Sequence, residues 1–185
     1  FVPHHVAHAA SAYHAAGWRD GAALVVDGRG ERASHLAGAV RDGALTALAA
    51  QPLPDSLGLV YESLTAHLGF RRASDEYKVM ALAAYGTPRF ADALAAAIHA
   101  TGDGGFVARP PAWERFAPPL ADGGGWRQAH ADLAASVQRR LEDVLVALAR
   151  WLHGRTGAAR LAMAGGVALN CVANARLLRD GPFAE

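Results

Sequence analysis

Two histidines near the start of the chain have the spacing of a metal-binding pair. His4 and His8 are four residues apart, so on a helix their imidazoles share one face and reach a single ion. Asp27, at the end of a predicted strand, offers a carboxylate oxygen as a third ligand. Such a set with open positions suits Fe(II) or another divalent transition metal. The alternative is a pair of surface histidines beside an ordinary Asp-Gly turn. His5 and His14 are expected to face elsewhere on the helix.

A second stretch, from Leu161 to Asn170, has the pattern of a nucleotide-binding turn. An apolar segment predicts a buried strand, Gly165 and Gly166 follow it, and a helix carrying Asn170 and Asn174 comes next. Glycines let a backbone approach a ligand closely, and the N–H groups at a helix start attract phosphate. An ordinary packing turn has the same pattern, so the residues alone leave both readings open.

The only lysine of the chain, Lys78, lies in the first turns of another predicted helix. An ammonium in this position can contact a phosphate as a point charge. Asp75 and Glu76 are close by in sequence. The alternative is therefore a solvent-exposed ion pair, which contributes less than about 1 kcal/mol. The periodicity of the helix does not decide between the two.

Composition limits the class of protein to which these groups belong. The chain has 185 residues, 52% of them hydrophobic, which suits one large domain or part of a bigger one. No apolar run approaches the roughly 20 residues of a membrane helix, and no signal peptide opens the chain, so we expect a cytoplasmic protein without a membrane partner. The single cysteine, Cys171, excludes an internal disulfide. A net charge of +1 predicts no nucleic-acid partner.

The elements that must position the candidate residues alternate between helices and strands. This mixture predicts an α/β layered domain. The sequence starts with a histidine cluster that no strand precedes and stops a few residues after the last helix. These two edges predict further structural elements on either side of the given sequence. The predicted elements are a helix over 4–16, a strand over 23–26 with a hairpin arm over 31–40, helices over 55–70, 74–86 and 89–100, one long loop over 102–126, a helix over 129–153, and a strand from 161.

Four motifs in order resemble the O-carbamoyltransferases of nodulation-factor and antibiotic biosynthesis, and together they run nearly end to end. They are His4-His5-Val6-Ala7-His8-Ala9-Ala10-Ser11-Ala12, Val25-Val26-Asp27-Gly28, Glu76-Tyr77-Lys78-Val79-Met80-Ala81-Leu82-Ala83-Ala84-Tyr85-Gly86 and Ala164-Gly165-Gly166-Val167-Ala168-Leu169-Asn170. In that family the region is similar to the catalytic subunit of tRNA threonylcarbamoyladenosine synthesis. The resemblance therefore implies the ribonuclease H-like ATPase fold shared by actin, sugar kinases and heat-shock chaperones.

The resemblance also implies a two-stage reaction. A separate C-terminal domain makes carbamoyladenylate from carbamoyl phosphate and ATP, and the domain represented by residues 1–185 transfers the carbamoyl group to a hydroxyl of a sugar or natural product. Carried over by position, His4, His8 and Asp27 would be metal ligands, with iron the expected ion. Gly165, Gly166 and Asn170 would line the nucleotide, and Lys78 would lie near its phosphate.

Several parts of the family pattern lie outside this sequence. The first phosphate-binding strand should precede Phe1, and a further acidic ligand and the adenylate-forming domain should follow Glu185, so the fragment alone is not expected to carry out the whole reaction. No residue is assigned as the general base. The alternatives are another ATPase such as a sugar kinase, or a non-catalytic nucleotide-binding module. The histidine pair argues against a kinase, in which carboxylates and substrate phosphates usually hold Mg²⁺.

Overall fold

A mixed four-stranded sheet forms the centre of the protein. The computed structural model describes residues 1–121 and 124–185. The sheet has the order β3-β2-β1-β6, in which β1 pairs antiparallel with β2 and parallel with β6, and β2 pairs antiparallel with β3. A separate antiparallel pair joins β4 and β5. The strands are β1 Gly21–Val26, β2 Ala33–Arg41, β3 Ala44–Pro52, β4 Ile98–Ala100, β5 Phe106–Ala108 and β6 Leu161–Ala164.

Helices cover both faces of this sheet. They are α1 His4–Ala15, α2 Leu57–His67, α3 Glu76–Ala83, α4 Ala91–Leu94, α5 Gln128–Thr156 and α6 Cys171–Asp180, with short 3₁₀ turns at Trp113–Arg115 and Gly166–Leu169. Because side chains alternate along β1, Leu24 and Val26 pack with the larger core that includes α2 and α5. Ala23 and Val25 pack with α1 on the opposite face. The α/β prediction is confirmed. Among the described residues, no helix combines the length and hydropathy needed to cross a membrane.

Local signals explain where several elements begin and end. Ser56 caps α2 by accepting a hydrogen bond from the N–H of Leu59 at 3.1 Å, as a serine N-cap does. The long helix α5 ends at Gly157, whose φ of +62° belongs to the left-handed region that glycine adopts without strain. Asp42 and Gly43 both have positive φ and form the two-residue turn between β2 and β3.

Three expectations about local structure need correction. The predicted helix over 89–100 is only the short α4, after which the chain becomes the strand β4. The predicted loop over 102–126 contains β5 and a 3₁₀ turn, and its residues 122 and 123 lie outside the described ranges. The sequence reading also missed β3, an edge strand with much of its length exposed. Alanine-rich segments carry a weak periodic signal, so tertiary pairing decided these elements.

Asp55 joins the start of α2 to β5. Its carboxylate accepts hydrogen bonds from the N–H of Ala108 at 3.0 Å and from two nitrogens of Arg109 at 3.1 and 3.0 Å. The hydrogen bonds from Arg109, with that of Ala108, hold the pKa of Asp55 below its ordinary value, although burial opposes them.

We expect Asp55→Asn to lower the melting temperature by several degrees at pH 6 to 7. A carboxyl with a lowered pKa stabilises the fold above its unfolded-state pKa of about 4, and this stabilisation is lost as the pH falls toward the folded-state pKa. The difference between variant and wild type should therefore shrink below about pH 4. Calorimetry across pH 3 to 7 checks this, with Asp92→Asn, which replaces an exposed aspartate on α4, as the control. A difference that did not change with pH would contradict the linkage.

Candidate metal and nucleotide site

Asp27 is the first residue after the central strand β1, and its two carboxylate oxygens have different partners. Oδ1 accepts hydrogen bonds from the backbone N–H groups of Gly28 at 2.7 Å and Gly166 at 3.1 Å. Oδ2 lies 2.8 Å from Nε2 of His4 and 3.2 Å from Nε2 of His8. The glycine turn after β6 thus fixes the carboxylate, and the second oxygen faces the histidines.

Helix α1 brings the two histidines to this oxygen. The rings of His4 and His8 meet edge to face, with centroids 4.6 Å apart, as the four-residue spacing predicts. Glu31, in the loop between β1 and β2, accepts a hydrogen bond from the N–H of His4 at 3.0 Å. An acidic side chain at a helix N-terminus satisfies a backbone donor and complements the helix dipole. Sequence reasoning missed this role of Glu31.

The hydrogen bonds keep Asp27 ionised. Burial by itself would raise the pKa of the Asp27 carboxyl, but the hydrogen bond with His4 and those from the N–H groups of Gly28 and Gly166 outweigh it, and the pKa lies below its ordinary value. An ionised carboxylate is the form that binds metal, and the same N–H groups would orient it when a metal is bound.

His5 also lies beside this cluster, contrary to the expectation that it faces elsewhere. One ligand atom each of His4, His5 and Asp27 lie within 4.8 Å of one another. The side chain of His5 is buried, and its Nε2 atom has no hydrogen-bond partner among the described residues. Successive residues are rotated by only about 100° around the helix axis. His5 can therefore lie beside the cluster that His4 forms in the same first turn.

The distances within the cluster suit a divalent metal. Two bonds of about 2.1 Å at a right angle place their ligand atoms roughly 3 Å apart. The separations of Asp27 Oδ2 from the ring nitrogens of His4 and His8, 2.8 and 3.2 Å, are close to that value. Imidazole and carboxylate donors together match Fe(II), Zn²⁺ or a similar ion. The donor types present are therefore those that the predicted ion takes. The mutually close ligand atoms are those of His4, His5 and Asp27, and His8 reaches the cluster through Asp27 Oδ2.

Gly165 and Gly166 form a tight turn between β6 and the 3₁₀ segment. Gly165 has φ +93°, and a Cβ atom there would lie 2.4 Å from the carbonyl oxygen of Val26. Only glycine allows this approach. The predicted helix starts later than expected, since α6 begins at Cys171 and Asn170 is its N-cap, accepting from the N–H of Ala173 at 3.0 Å.

A cavity of about 430 Å³ opens directly beside Asp27 and the glycine turn. Its walls come from the ends of β1 and β6, the helices α2 and α3, and the middle of α5. The lining residues are Asp27, Gly28, Gly58, Tyr61, Glu62, Ala73, Ser74, Glu76, Tyr77, Met80, Leu141, Gly166, Val167, Leu169 and Asn170. The cavity thus brings Gly166 and Asn170 to one place with Asp27, whereas Gly165, also predicted to line the nucleotide, is not among its lining residues.

Lys78 is not among these lining residues, although its neighbours Glu76 and Tyr77 are. Its Nζ atom is 3.0 Å from Asp75 Oδ2 and 5.8 Å from the ring centroids of Phe70 and Tyr77. The ion pair with Asp75 corresponds to the alternative considered for this residue. Its assignment to a nucleotide phosphate stays a prediction.

A comparison with known protein families covers all of these positions. The family model described as carbamoyltransferase N-terminus matches residues 1–109 and 116–185. The chain belongs to the carbamoyltransferase family. The matched ranges include the histidines, Asp27 and the glycine turn, so these candidate site residues all lie within the region that matches the family. The family predicted from the four motifs is confirmed.

Individual relatives align along most of the chain. Nodulation protein NolNO of Sinorhizobium fredii is 37% identical over 100% of this chain and 28% of its own length. Nodulation protein NolO of Bradyrhizobium diazoefficiens is 35% identical over 97% of this chain and 34% of its own. An uncharacterized protein of Synechocystis is 36% identical over 99% of this chain and 32% of its own length. This carbamoyltransferase chain thus spans about a third of the length of these curated relatives.

Proposed function

We propose that this domain transfers a carbamoyl group from carbamoyladenylate to a hydroxyl of a sugar or other natural product. The observation that carries the proposal is the meeting of three features at Asp27, namely the histidine pair, the glycine turn and the cavity. In the transfer, the acceptor oxygen forms a bond with the carbamoyl carbon. The bond between that carbon and the phosphate oxygen breaks, AMP leaves, and the hydroxyl proton is released.

His4, His8 and Asp27 would hold a divalent metal, for which we propose Fe(II). A bound cation supplies charge that polarises the carbamoyl carbonyl and stabilises the oxyanion formed during attack. The backbone N–H groups of Gly28 and Gly166 keep the carboxylate of Asp27 oriented. The walls of the cavity enclose the reacting groups and limit their access to water.

The charged residues that line the cavity support the proposal that two domains carry out the two steps of the reaction. Its described lining carries the acidic residues Asp27, Glu62 and Glu76 and includes no lysine or arginine. The described lining thus has no basic side chain to bind the additional phosphates of a triphosphate, whereas an adenylate carries one phosphate charge. We therefore propose that ATP and carbamoyl phosphate react in an adenylate-forming domain elsewhere in the full-length chain, and that this domain receives the carbamoyladenylate.

The proposal includes the ribonuclease H-like ATPase fold of actin, sugar kinases and heat-shock chaperones. Its support is a mixed sheet in which an antiparallel meander, β1 to β3, is extended by the parallel strand β6 with helices on both faces. In such sheets ligands bind beyond the carboxyl ends of the parallel strands, and the cavity lies there. We further propose a cytoplasmic enzyme whose acceptor is a small hydroxyl compound.

Assays of the two half-reactions in the full-length protein test this function. With carbamoyl phosphate, ATP and a polyhydroxylated acceptor, we expect a carbamate ester and AMP, identified by mass spectrometry. Asp27→Asn should reduce carbamate formation at least about 100-fold and leave ATP-dependent pyrophosphate release unchanged, because only the transfer step uses Asp27. Asp20→Asn, an exposed aspartate before β1, is the control.

Other products would select another function. A phosphorylated acceptor with ADP would identify a kinase of the same fold. Nucleotide binding without metal and without turnover would identify a non-catalytic module. Equal loss of pyrophosphate release and carbamate formation in Asp27→Asn would contradict the separation of the two steps.

A further inference from the structure

A buried group of polar side chains lies behind the wall of the cavity. Tyr61 on α2, Gln138 on α5 and Asn170 at the start of α6 are each about 95% buried. Tyr61 and Asn170 line the cavity, whereas Gln138 is not among its lining residues and lines a smaller cavity of about 240 Å³. Gln138 forms hydrogen bonds with both of the others.

The hydrogen bonds of Gln138 connect three elements. Its Oε1 atom accepts from the hydroxyl of Tyr61 at 2.9 Å and from Nδ2 of Asn170 at 2.9 Å. Its Nε2 atom donates to Oδ1 of Asn170 at 3.0 Å and to Oε1 of Glu142 at 2.9 Å. The side chains of Gln138 and Asn170 thus form a reciprocal amide pair.

Groups of fixed polarity at both ends set the orientation of this pair. The carboxylate of Glu142 only accepts hydrogen bonds, so it must face the amide nitrogen of Gln138. The N–H of Ala173 only donates, so it must face Oδ1 of Asn170. A glutamate at position 138 would place an acceptor oxygen against two other acceptors, Oε1 of Glu142 and Oδ1 of Asn170. A leucine would leave Asn170 without its amide partner. Glutamine is the side chain that satisfies every partner.

Asn170 ends the 3₁₀ segment that follows Gly165 and Gly166, the turn that also holds Asp27. Its oxygen caps α6 and its amide pairs with Gln138, so its position depends on α5 as well as on its own helix. Tyr61, held by the same glutamine, forms the facing part of the wall. Networks of this kind keep a single arrangement because a partly paired buried group is costly.

We propose that Gln138 is a positioning residue for the nucleotide, holding the Gly165 to Asn170 segment and Tyr61 in the geometry that binds AMP. This inference rests on the proposed function, since it places the nucleotide in the cavity. Gln138 itself lies behind the wall and acts through Asn170 and Tyr61. We assign this role to the amide group of Gln138. A leucine at this position would fill a similar volume but would form none of these hydrogen bonds.

Two measurements on the full-length protein test the role. We expect Gln138→Leu and Gln138→Glu to speed hydrogen exchange in residues 165–174 about tenfold. They should also raise about tenfold the Kd for AMP, read from the AMP-dependent protection of the same residues well below melting, so that AMP bound to the proposed adenylate-forming domain does not contribute. The variant Asn170→Asp keeps the cap to Ala173 but loses the amide donor, and should weaken AMP binding similarly. Combining it with Gln138→Leu should add little further loss, because both act through one contact.

Gln128→Leu is the matched control. Gln128 lies on the same helix α5 and hydrogen-bonds to Tyr85 and Asp132, away from the cavity lining. It should leave exchange in 165–174 and the Kd for AMP unchanged. Unchanged exchange in both Gln138 variants would overturn the positioning role. Faster exchange with an unchanged Kd would show a purely structural residue and overturn it as well. Wild-type protein that bound no AMP would overturn the nucleotide placement before any variant was compared.

Discussion

Replacing His4 and His8 together by alanine should remove the metal and the transfer activity. Both ring nitrogens lie within 3.2 Å of Asp27 Oδ2, so the double variant leaves a single carboxylate of the three predicted ligands. We expect metal content to fall below about a tenth of the wild-type value, and carbamate formation to fall at least about 100-fold. Elemental analysis of purified full-length protein and the transfer assay measure the two effects independently.

His14→Ala is the control for this experiment. His14 is an exposed histidine on the same helix, so its replacement removes an imidazole without changing the cluster. Metal content and activity should match those of the wild type. His5→Ala extends the comparison, because His5 is buried beside the cluster without being one of the three predicted ligands. Undiminished metal in the double variant would remove His4 and His8 from the metal site, whatever its effect on activity.

Gly165→Ala should unfold the turn that holds Asp27. The added Cβ would lie 2.4 Å from the carbonyl oxygen of Val26 on the neighbouring strand, and the backbone has φ +93°. A backbone oxygen in a central strand cannot yield without breaking the sheet. We expect a loss of about 3–4 kcal/mol in the free energy of unfolding, or roughly 10 °C in melting temperature.

Gly157→Ala is the control for Gly165→Ala. It has the energetic cost of an alanine at positive φ but not the steric clash with a neighbouring strand. Gly157 has φ +62° at the end of α5, but a Cβ there would meet nothing within 4 Å. Its replacement should cost about 1 kcal/mol, or roughly 3 °C. At a temperature where both variants remain folded, only Gly165→Ala should lose metal, because the N–H of Gly166 that orients Asp27 is displaced. Equal melting temperatures for the two variants would contradict the importance of the close approach to Val26.

The sequence predicted which candidate residues would lie together better than it predicted the residues that hold them. The four-residue spacing of His4 and His8 specifies their shared face, because helix geometry depends on local sequence. The close approach of Gly165 to β1 is that of a packing turn, the alternative left open for the strand-glycine pattern. Gly166 after β6 is far from Asp27 in sequence, as Gln138 on α5 is from Asn170, so no local pattern could identify these partners.

Some of the missed structure had a local signal. Asp42-Gly43 is the dipeptide typical of a two-residue hairpin turn, and it should have predicted β3. The segment over 89–100 had no such signal, because its alanines suit a helix, while the pairing of β4 with β5 makes its last three residues a strand. Gln138 was unrecognised for a related reason. A polar residue within an amphipathic helix is usually exposed, and only its partners on α2 and α6 explain its burial.

The hydrogen bond between Gly166 and Asp27 spans 139 residues of chain, which has a consequence during biosynthesis. His4, His8 and Asp27 leave the ribosome early, but the donor that orients the carboxylate is made roughly 7–28 s later at ordinary rates of translation. A nascent chain can therefore carry all three ligands while the second donor to Oδ1 does not yet exist. The geometry predicted to bind a metal is completed only when β6 joins β1, so a cation captured late would mark a domain whose central sheet has already formed.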